Sequence, residues 1–300
     1  MCGTVKILLT GSSGRVGRAI FGALAARHEV VGIDRSPFAT TRHVADFTDT
    51  RVLGAALQGV DAVIHAAALH APHVGLFSDA EFQRINVEGT RTVMRMAREA
   101  GVRRLVFTST TALYGHAIAP GQCTWVDEQT VPQPRTIYHR SKLAAEHWLE
   151  EAATEDLQVR VIRMSRCFPE PPERMVLYRL HRGIDVRDVA DAHVAALGND
   201  GAPFQRYVVS GWTPFEREDC EALASRPRDV LAQRCPRWLE EYDRRGWVLP
   251  VIDRIHDARA AGTGLGWRSQ RGPEAVLEQL AEGSIEVLPD TARVADCTIE

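Results

Sequence analysis

A glycine-rich turn between two short apolar runs constrains the fold of this chain more than any other part of its sequence. Residues 5–9 form the first run, residues 29–33 form the second, and Asp34 follows directly. The turn at residues 10–17 leads into a helical pattern between the two runs. A strand, a glycine turn, a helix and a strand that ends in an acid are the pattern of a dinucleotide-binding βαβ unit. The sequence therefore predicts an α/β protein built around such a unit.

The glycines of the turn are spaced G-x-x-G-x-x-G, and each has its own task. Gly11 permits a tight turn, Gly14 lets backbone amides approach a pyrophosphate, and Gly17 lets the helix pack closely on the strand. Asp34 can accept hydrogen bonds from the adenosine ribose, which favours NAD over NADP. Arg35 could bind the extra phosphate, so NADP is the second option. The predicted cofactor contacts in this unit are Gly11, Ser13, Gly14, Arg15, Val16, Gly17, Asp34 and Arg35.

Two later stretches are also predicted to contact the cofactor. A third strand begins at residue 43, and its end would lie against the adenine. A fourth strand at residues 61–65 runs into three consecutive alanines, whose small side chains let the chain pass close to a flat ring. The predicted contacts here are Asp46, Phe47, Ala66, Ala67 and Ala68.

Three histidines near the fourth strand, His65, His70 and His73, suggest a metal site at first sight. They straddle a strand end and a loop, without a helical HExxH motif and without a cysteine or carboxylate at ligand spacing. The sequence therefore predicts no metal ion. His70 is interpreted instead as a residue of a substrate-binding loop.

A predicted helix that begins near residue 136 carries the candidate proton-transfer residues. Tyr138 and Lys142 are four positions apart and therefore share one face of this helix. Because an ammonium beside a phenol favours the phenolate, we expect Lys142 to lower the pKa of Tyr138. A run of hydroxyl residues, 108–111, follows the fifth strand at residues 104–107. Open α/β sheets place their chemistry at such strand ends.

Composition and charge argue against several other classes of protein. The chain of 300 residues has a net charge of −3, which gives no sign of nucleic-acid or membrane binding. Its six cysteines are scattered without a C-x-x-C pair, as is usual for reduced thiols in the cytoplasm. No apolar run approaches the roughly 18 residues that a membrane-spanning helix needs. We therefore expect a cytoplasmic protein with a small-molecule substrate.

The combination of these motifs, in this order and spacing, resembles the extended short-chain dehydrogenases/reductases, the NAD-dependent epimerase/dehydratase family. The resemblance covers roughly residues 4–215. It implies a Rossmann-type, doubly wound parallel sheet with a small C-terminal substrate-binding region, bound NAD, and a homodimer formed through two central helices. The motifs that carry it are residues 10–17, Asp34, residues 108–115, Tyr138, Lys142 and Arg163.

The same resemblance assigns roles in a Ser/Thr–Tyr–Lys active site. It implies that Tyr138 is the acid/base, that Lys142 contacts the nicotinamide ribose, and that Thr110 binds the reacting oxygen. Ser109 is the alternative if the register differs by one residue. Thr108 is expected beside the cofactor, together with Tyr138 and Lys142.

The segment after the sixth strand resembles the corresponding part of uronate dehydrogenases, which oxidise free sugar acids. It is too short for the insert with which other relatives grip a nucleotide sugar. The resemblance gives Arg174 the role of binding the substrate carboxylate, for which a guanidinium is well suited. Arg166 stands where those relatives carry a small polar residue. The predicted substrate contacts are Leu69, His70, Ser109, Thr110, Arg166 and Arg174.

The chain is expected to divide into three parts. Residues 1–165 would form the NAD-binding core, and residues 166–282 a mixed substrate-binding region that also returns a late strand and helix to that core. A charged helical stretch is predicted from about residue 217 to 245. Residues 283–300 show no strong period and are predicted to be loose.

These observations predict an NAD-dependent oxidoreductase of a small carbohydrate-like substrate. Tyr138 would remove a hydroxyl proton while hydride leaves the same carbon for nicotinamide. One alternative is a nucleotide-sugar epimerase or dehydratase that recycles NAD within each turnover. Another is a ketoreductase of an amino sugar or cyclitol, with Asp185, Glu170 or Glu173 binding the cation. A third is a cofactor-binding sensor or scaffold on the same fold.

Overall fold

The structure is a computed structural model that describes residues 3–289. Short strands with buried, mostly apolar side chains alternate with helices along most of the chain. The strands are β1 (Lys6–Thr10), β2 (Glu29–Asp34), β3 (His43–Val44), β4 (Ala62–His65), β5 (Arg104–Thr110), β6 (Thr124–Val126), β7 (Gln158–Met164), β8 (Phe204–Val209) and β9 (Arg254–His256).

Helices lie between most of these strands, and several helices follow one another directly in the second half of the chain. They are α1 (Arg15–Leu24), α2 (Thr50–Ala56), α3 (Asp79–Phe82), α4 (Gly89–Glu99), α5 (Ile137–Ala152), α6 (Pro172–His181), α7 (Val186–Leu197), α8 (Cys220–Ser225), α9 (Pro227–Arg234), α10 (Pro236–Arg245), α11 (Arg259–Leu265) and α12 (Pro273–Ala281). A π-helical segment, Gln83–Glu88, joins α3 to α4. No helix in the described part of the chain is long and apolar enough to cross a membrane.

Seven strands form one parallel sheet in the order β3-β2-β1-β4-β5-β7-β8. Both faces of the sheet are covered, because Leu8 packs into one buried cluster and its neighbours Ile7 and Leu9 pack into another. The predicted doubly wound Rossmann-type fold is thereby confirmed. The chain reverses its direction of travel across the sheet between β1 and β4. In open sheets a ligand binds at this switch point, outside the carboxyl ends of the strands.

A second, smaller core lies beside the main sheet and is built from the later helices. Trp238, Tyr242 and Trp247 pack there with side chains of α6 and α12. β6 and β9, which form a separate parallel pair, were not predicted as strands because each has only three residues. The predicted helical stretch 217–245 is interrupted, since Pro227 and Pro236 each begin a new helix and cannot continue the preceding one.

The expectation of a loose tail fails for its first residues. Val287 is buried in the second core, and the amide of Leu288 donates a 3.0 Å hydrogen bond to the carbonyl of Glu170. Glu286 forms an ion pair with Arg15 of α1. Apolar packing and these two polar contacts hold the segment against the rest of the protein. The remaining tail residues, 290–300, lie outside the described residues.

Candidate active site

The glycine turn after β1 is packed so tightly that side chains are excluded at two of its positions. Gly11 has a φ of +75°, and a Cβ there would lie 2.7 Å from the amide nitrogen of Ala67. A Cβ on Gly17 would lie 2.0 Å from the carbonyl oxygen of Gly11. The turn therefore brings the start of α1 directly against the carboxyl ends of β1 and β4, so that the first-turn amides of this helix point toward the cleft.

Asp34 at the end of β2 holds this turn in place. Its carboxylate accepts hydrogen bonds from the amides of Ser13, over 3.1 Å, and of Ser36, over 2.9 Å. The hydroxyl of Ser13 also meets that of Thr41, 2.7 Å away. Asp34 thus has a structural task in addition to the one expected from the sequence, while Arg35 next to it lines the same cleft.

A cavity of about 600 Å³ runs from the glycine turn, across the ends of β4 and β5, to the start of α5. Its dimensions and its lining of small residues and backbone amides at a helix N-terminus fit a dinucleotide. Most of the residues predicted for the site lie in its wall. They are Gly11, Ser13, Gly14, Arg15, Val16, Gly17, Asp34, Arg35, Phe47, Ala66, Ala67, Ala68, His70, Thr108, Ser109, Thr110, Tyr138, Lys142 and Arg166.

Tyr138 and Thr110 face each other across the inner end of the cavity. Thr136 caps the start of α5 through its hydroxyl, and this places Tyr138 in the first turn beside the end of β5. Burial raises the pKa of Tyr138 to about 12, and hydrogen bonding by the Thr110 side chain opposes that shift. Lys142 does not produce the expected lowering of this pKa, because its ammonium is hydrogen-bonded to the main-chain carbonyl of Thr108.

The ammonium of Lys142 donates a 2.7 Å hydrogen bond to the main-chain carbonyl of Thr108. It also lies 4.3 Å from the centre of the Phe107 ring. Burial lowers the pKa of Lys142 to about 7, and the carboxylate of Glu146 one turn along α5 only partly offsets this. Lys142 can therefore exchange a proton near neutral pH, within the same cavity as Tyr138.

The hydroxyl of Ser109 is turned away from the cavity into a buried polar network. The Ser109 hydroxyl donates a hydrogen bond to the carboxylate of Glu146. The same carboxylate accepts hydrogen bonds from Arg163 of β7, and the shortest of these is 2.7 Å. Arg163 in turn donates to the hydroxyl of Tyr114, 3.0 Å away. Thr110, the last residue of β5, is the hydroxyl that hydrogen-bonds the side chain of Tyr138, which leaves it as the one directed at the reacting position. The network itself was not predicted, although Glu146 and Lys142 share a helix face at i, i+4 spacing.

Thr108 is fixed from the other side of the sheet. Its hydroxyl lies 2.8 Å from Nε2 of His193, while Nδ1 of His193 lies 2.8 Å from the carbonyl of Val189. The second contact identifies Nδ1–H as the donor, so Thr108 donates to Nε2. Burial lowers the pKa of His193 to about 4, in keeping with a neutral imidazole in this position.

Three residues predicted for the site have side chains outside the cavity. Leu69 is buried in the main core, and its backbone is held by two 2.8 Å hydrogen bonds with the side-chain amide of Asn86. The carboxylate of Asp46 accepts hydrogen bonds from the amide and the hydroxyl of Thr48, each over 2.9 Å. Arg174 is more than half exposed and pairs with Glu170 at 3.3 Å, so its guanidinium is already engaged. These three side chains are therefore not in the wall of the cavity, and the roles assigned to them from the sequence stay predictions.

Three other residues line the substrate end of the cavity and were not assigned from the sequence. Arg182 follows α6, while Arg254 and His256 belong to β9. Asp253 lies between the two arginines, 3.4 Å from Arg182 and 3.0 Å from the Nε of Arg254. The pairing of β9 with β6 carries Arg254 and His256 to the site.

The histidines considered as metal ligands have other partners. His65 lies 2.7 Å from Thr10 and 3.0 Å from Thr90, and burial lowers its pKa to about 3. The rings of His70 and His73 contact each other, with centroids 4.3 Å apart. In the described part of the chain, no group of three or more His, Cys, Asp or Glu side chains is arranged to hold a metal ion.

Comparison with known proteins agrees with this architecture. The chain is 30% identical over 263 residues to sterol demethylase protein B of Methylococcus capsulatus, covering 75% of this chain and 76% of that protein. The structure of MoeE5 with UDP-glucose and NAD has a TM-score of 0.66 at 23% identity and covers 91% of this chain and 97% of its own. A mutated uronate dehydrogenase has the same TM-score at 20% identity, covering 97% of this chain and 90% of its own. Both structural likenesses concern the fold.

The sequence model of the NAD dependent epimerase/dehydratase family matches residues 7–177, more than half of the chain. This match contains the glycine turn, the hydroxyl residues at the end of β5, and the Tyr138 helix. The cavity described above supplies the cradle that a dinucleotide requires. The chain therefore belongs to the NAD-dependent epimerase/dehydratase family, whose members are short-chain dehydrogenase/reductase enzymes, and its cofactor is NAD.

Proposed function

We propose that this enzyme is an NAD-dependent oxidoreductase of a small carbohydrate-like substrate. The observation that carries the proposal is that Thr110 and Tyr138 line the same cavity as the glycine turn. Relatives of the chain act on sugars or on steroids, so the family alone leaves the substrate open. The choice between these classes rests on the chemistry of the cavity wall.

The proposed roles follow from the position of each side chain. Tyr138 exchanges the proton of the reacting oxygen, as the base in oxidation and as the acid in reduction, and Thr110 hydrogen-bonds and orients that oxygen. The neutral phenol that burial favours is the acid form. Lys142, whose ammonium is bound to the carbonyl of Thr108 and whose pKa is near neutrality, can pass on a proton within the same cavity. Bound NAD supplies the hydride acceptor, and the glycine turn with Asp34 would hold it. The protein's contribution is to place the reacting carbon and to limit access of water.

Charge at the substrate end favours an anionic substrate. Arg182 and Arg254 share the single carboxylate of Asp253, and Arg166 shares Glu170 with a second arginine. Each carboxylate therefore faces two guanidinium groups, which leaves positive charge uncompensated next to the cavity. A carboxylate or phosphate on the substrate would neutralise this remaining positive charge. The same charge disfavours the amino-sugar alternative, because Glu170 is already neutralised.

The proposal is tested by incubating the purified protein with NAD and a panel of free sugar acids, sugar phosphates, neutral sugars, amino sugars, UDP-sugars and hydroxysteroids. Accumulation of NADH with an acidic or phosphorylated sugar is the expected result. Product without net NADH would identify an epimerase or dehydratase instead. NADH formed only with a hydroxysteroid would contradict the carbohydrate assignment, and no product with any compound would favour the sensor alternative.

We further propose that the protein is a cytoplasmic homodimer. The family resemblance supports the dimer, through the two central helices α4 and α5. Light scattering on the purified protein gives the mass in solution, and a monomer at all concentrations would contradict this expectation.

A further inference from the structure

A row of four rings lies along the mouth of the cavity. Phe77 contacts His73, with ring centroids 5.5 Å apart, and His73 contacts His70 at 4.3 Å. His70 then lies parallel to Phe168 at 6.4 Å, with an angle of 10° between the ring planes. We call these four residues the aromatic row. It joins the loop after β4 to the loop after β7, and therefore crosses the end of β5, which lies between those strands.

The aromatic row is continuous with the reaction site. His70, His73 and Phe168 line the same cavity as Tyr138 and Thr110. A ligand bound at the phenol of Tyr138 can therefore also contact these three rings.

The aromatic row is also exposed, together with its neighbours in the chain. Phe77 is 39% exposed and Phe168 is 41% exposed. Val74 and Leu76 lie in the same loop and are 40% and 76% exposed. A single exposed apolar side chain needs no explanation, but a contiguous group at the mouth of a cavity marks a binding surface. Covering it removes apolar area from water at about 25 cal/mol per Å².

The two histidines fit this apolar character. Burial lowers the pKa of both His70 and His73, and for His73 the charge of Arg35 lowers it further. Both imidazoles are therefore neutral at neutral pH. The guanidinium of Arg166 lies 5.5 Å from the Phe168 ring on the side of the cavity where we place the anionic group. The mouth of the cavity therefore has an apolar surface, formed by the aromatic row, next to the positively charged guanidinium of Arg166.

We propose that the aromatic row is a binding subsite for a hydrocarbon portion of the substrate. The preferred substrate is then an amphiphile whose polar end reaches Tyr138 and Thr110 while its apolar part covers the rings. This inference rests on the proposed function, because it adds an apolar portion to the same carbohydrate-like substrate.

The test uses methyl, butyl and octyl β-D-glucuronides, below the concentration at which the octyl compound forms micelles. Their binding to the protein saturated with NAD is measured by calorimetry. Each fully buried methylene stabilises binding by about 0.8 kcal/mol, roughly fourfold in Kd. Even if the aromatic row buries only part of the octyl chain, we therefore expect a Kd at least about tenfold lower for the octyl compound than for the methyl compound. Equal Kd values across the series would overturn the proposal.

Variants show whether the aromatic row is the surface responsible. In the double variant Phe77→Ser/Phe168→Ala, most of the gain in affinity of the octyl over the methyl compound, both measured on that variant, should be lost. Val248→Ser, at a residue that is 84% exposed and is not in the wall of the cavity, should keep the full gain. An octyl gain that is unchanged in the double variant would reject the aromatic row as the subsite.

The two proposals fail in different ways. If a small sugar acid gives NADH but chain length has no effect on Kd, the inference fails and the proposed function stands. If the chain-length effect is present and is lost in the double variant, but no compound yields product, the subsite stands and the proposed function fails.

Discussion

The side-chain ammonium of Lys142 is hydrogen-bonded to the main-chain carbonyl of Thr108, over 2.7 Å, across the gap between α5 and β5. This contact ties the helix that carries Tyr138 to the strand that carries Thr110. It also explains why burial, rather than the lysine, determines the pKa of the phenol. Five predictions follow from this arrangement and from the surrounding network.

Replacing Lys142 with Met should stabilise the protein in a pH-dependent way. The folded pKa is about 7 and the ordinary value is 10.5, so between these values the unfolded chain holds a proton that the folded chain lacks. Wild-type stability therefore rises with pH through this window. The free energy of unfolding of the variant should exceed that of the wild type by on the order of a few kcal/mol below pH 7, and this difference should shrink as the pH approaches 10.

Urea unfolding at pH 6, 8 and 9.5 measures this difference. Lys6→Met is the matched control, since this lysine is partly exposed and pairs at the surface with Glu29. It should change stability by the same small amount at each pH. A pH-independent effect of Lys142→Met would show that the ammonium is not desolvated as described.

Replacing Tyr138 with Phe should remove catalysis but keep cofactor binding. The substitution deletes only the hydroxyl that exchanges the proton, and a positioned acid–base group contributes about 10²–10⁴-fold to the rate. NAD binding, followed by fluorescence or calorimetry, should change less than about twofold because the ring still fills its buried position. Activity within tenfold of wild type would contradict the acid–base role.

Replacing Glu146 with Ala should destabilise the protein strongly. The side chains of Glu146 and Arg163 are 0% and 1% exposed, so the substitution leaves a buried guanidinium without its counter-charge. Loss of one partner of a buried pair costs about 3–5 kcal/mol. The double variant Glu146→Leu/Arg163→Met should recover much of this loss in denaturant unfolding.

A surface pair provides the comparison for that measurement. Glu99→Ala removes the partner of Arg95, and both of these side chains are more than half exposed. Glu99→Ala should lower the free energy of unfolding by less than about 1 kcal/mol. Similar costs for Glu146→Ala and Glu99→Ala would mean that the buried network does not hold α5 to the sheet.

Replacing Arg254 with Gln should raise KM for an acidic substrate, whereas Arg174→Gln should have little effect. Arg254 lines the cavity and shares Asp253, while Arg174 is outside the cavity and bound to Glu170. A hydrogen bond to a charged group contributes about 1.5–3 kcal/mol, which corresponds to roughly 10–100-fold in KM. The opposite ranking of the two variants would restore the role first predicted for Arg174.

Replacing Asp34 with Ala should weaken NAD binding and reduce the preference for NAD over NADP. The carboxylate repels a 2′-phosphate, and Arg35 beside it can bind that group once the repulsion is gone. Because the carboxylate of Asp34 also accepts a hydrogen bond from the amide of Ser13, the variant should lose some affinity for both cofactors. Comparing the two Kd values by calorimetry separates the effects, and an unchanged ratio would mean that another group selects the cofactor.

The sequence by itself determined the features whose signals are local. The turn 10–17 reveals a nucleotide cradle because only glycine fits the conformation and the close approach there. The spacing of Tyr138 and Lys142 places both on one helix face, and the alternation of strands and helices leads to a parallel sheet.

The tertiary structure decided which of the predicted side chains meet. Ser109 and Thr110 are adjacent in the sequence, yet one faces Glu146 and the other the cavity, because strand direction and packing fix which face each residue presents. Arg174 is engaged by Glu170, while Arg254 arrives from a strand far along the chain. Electrostatic pairing and the meeting of distant loops depend on the order of strands in space, which no local pattern contains.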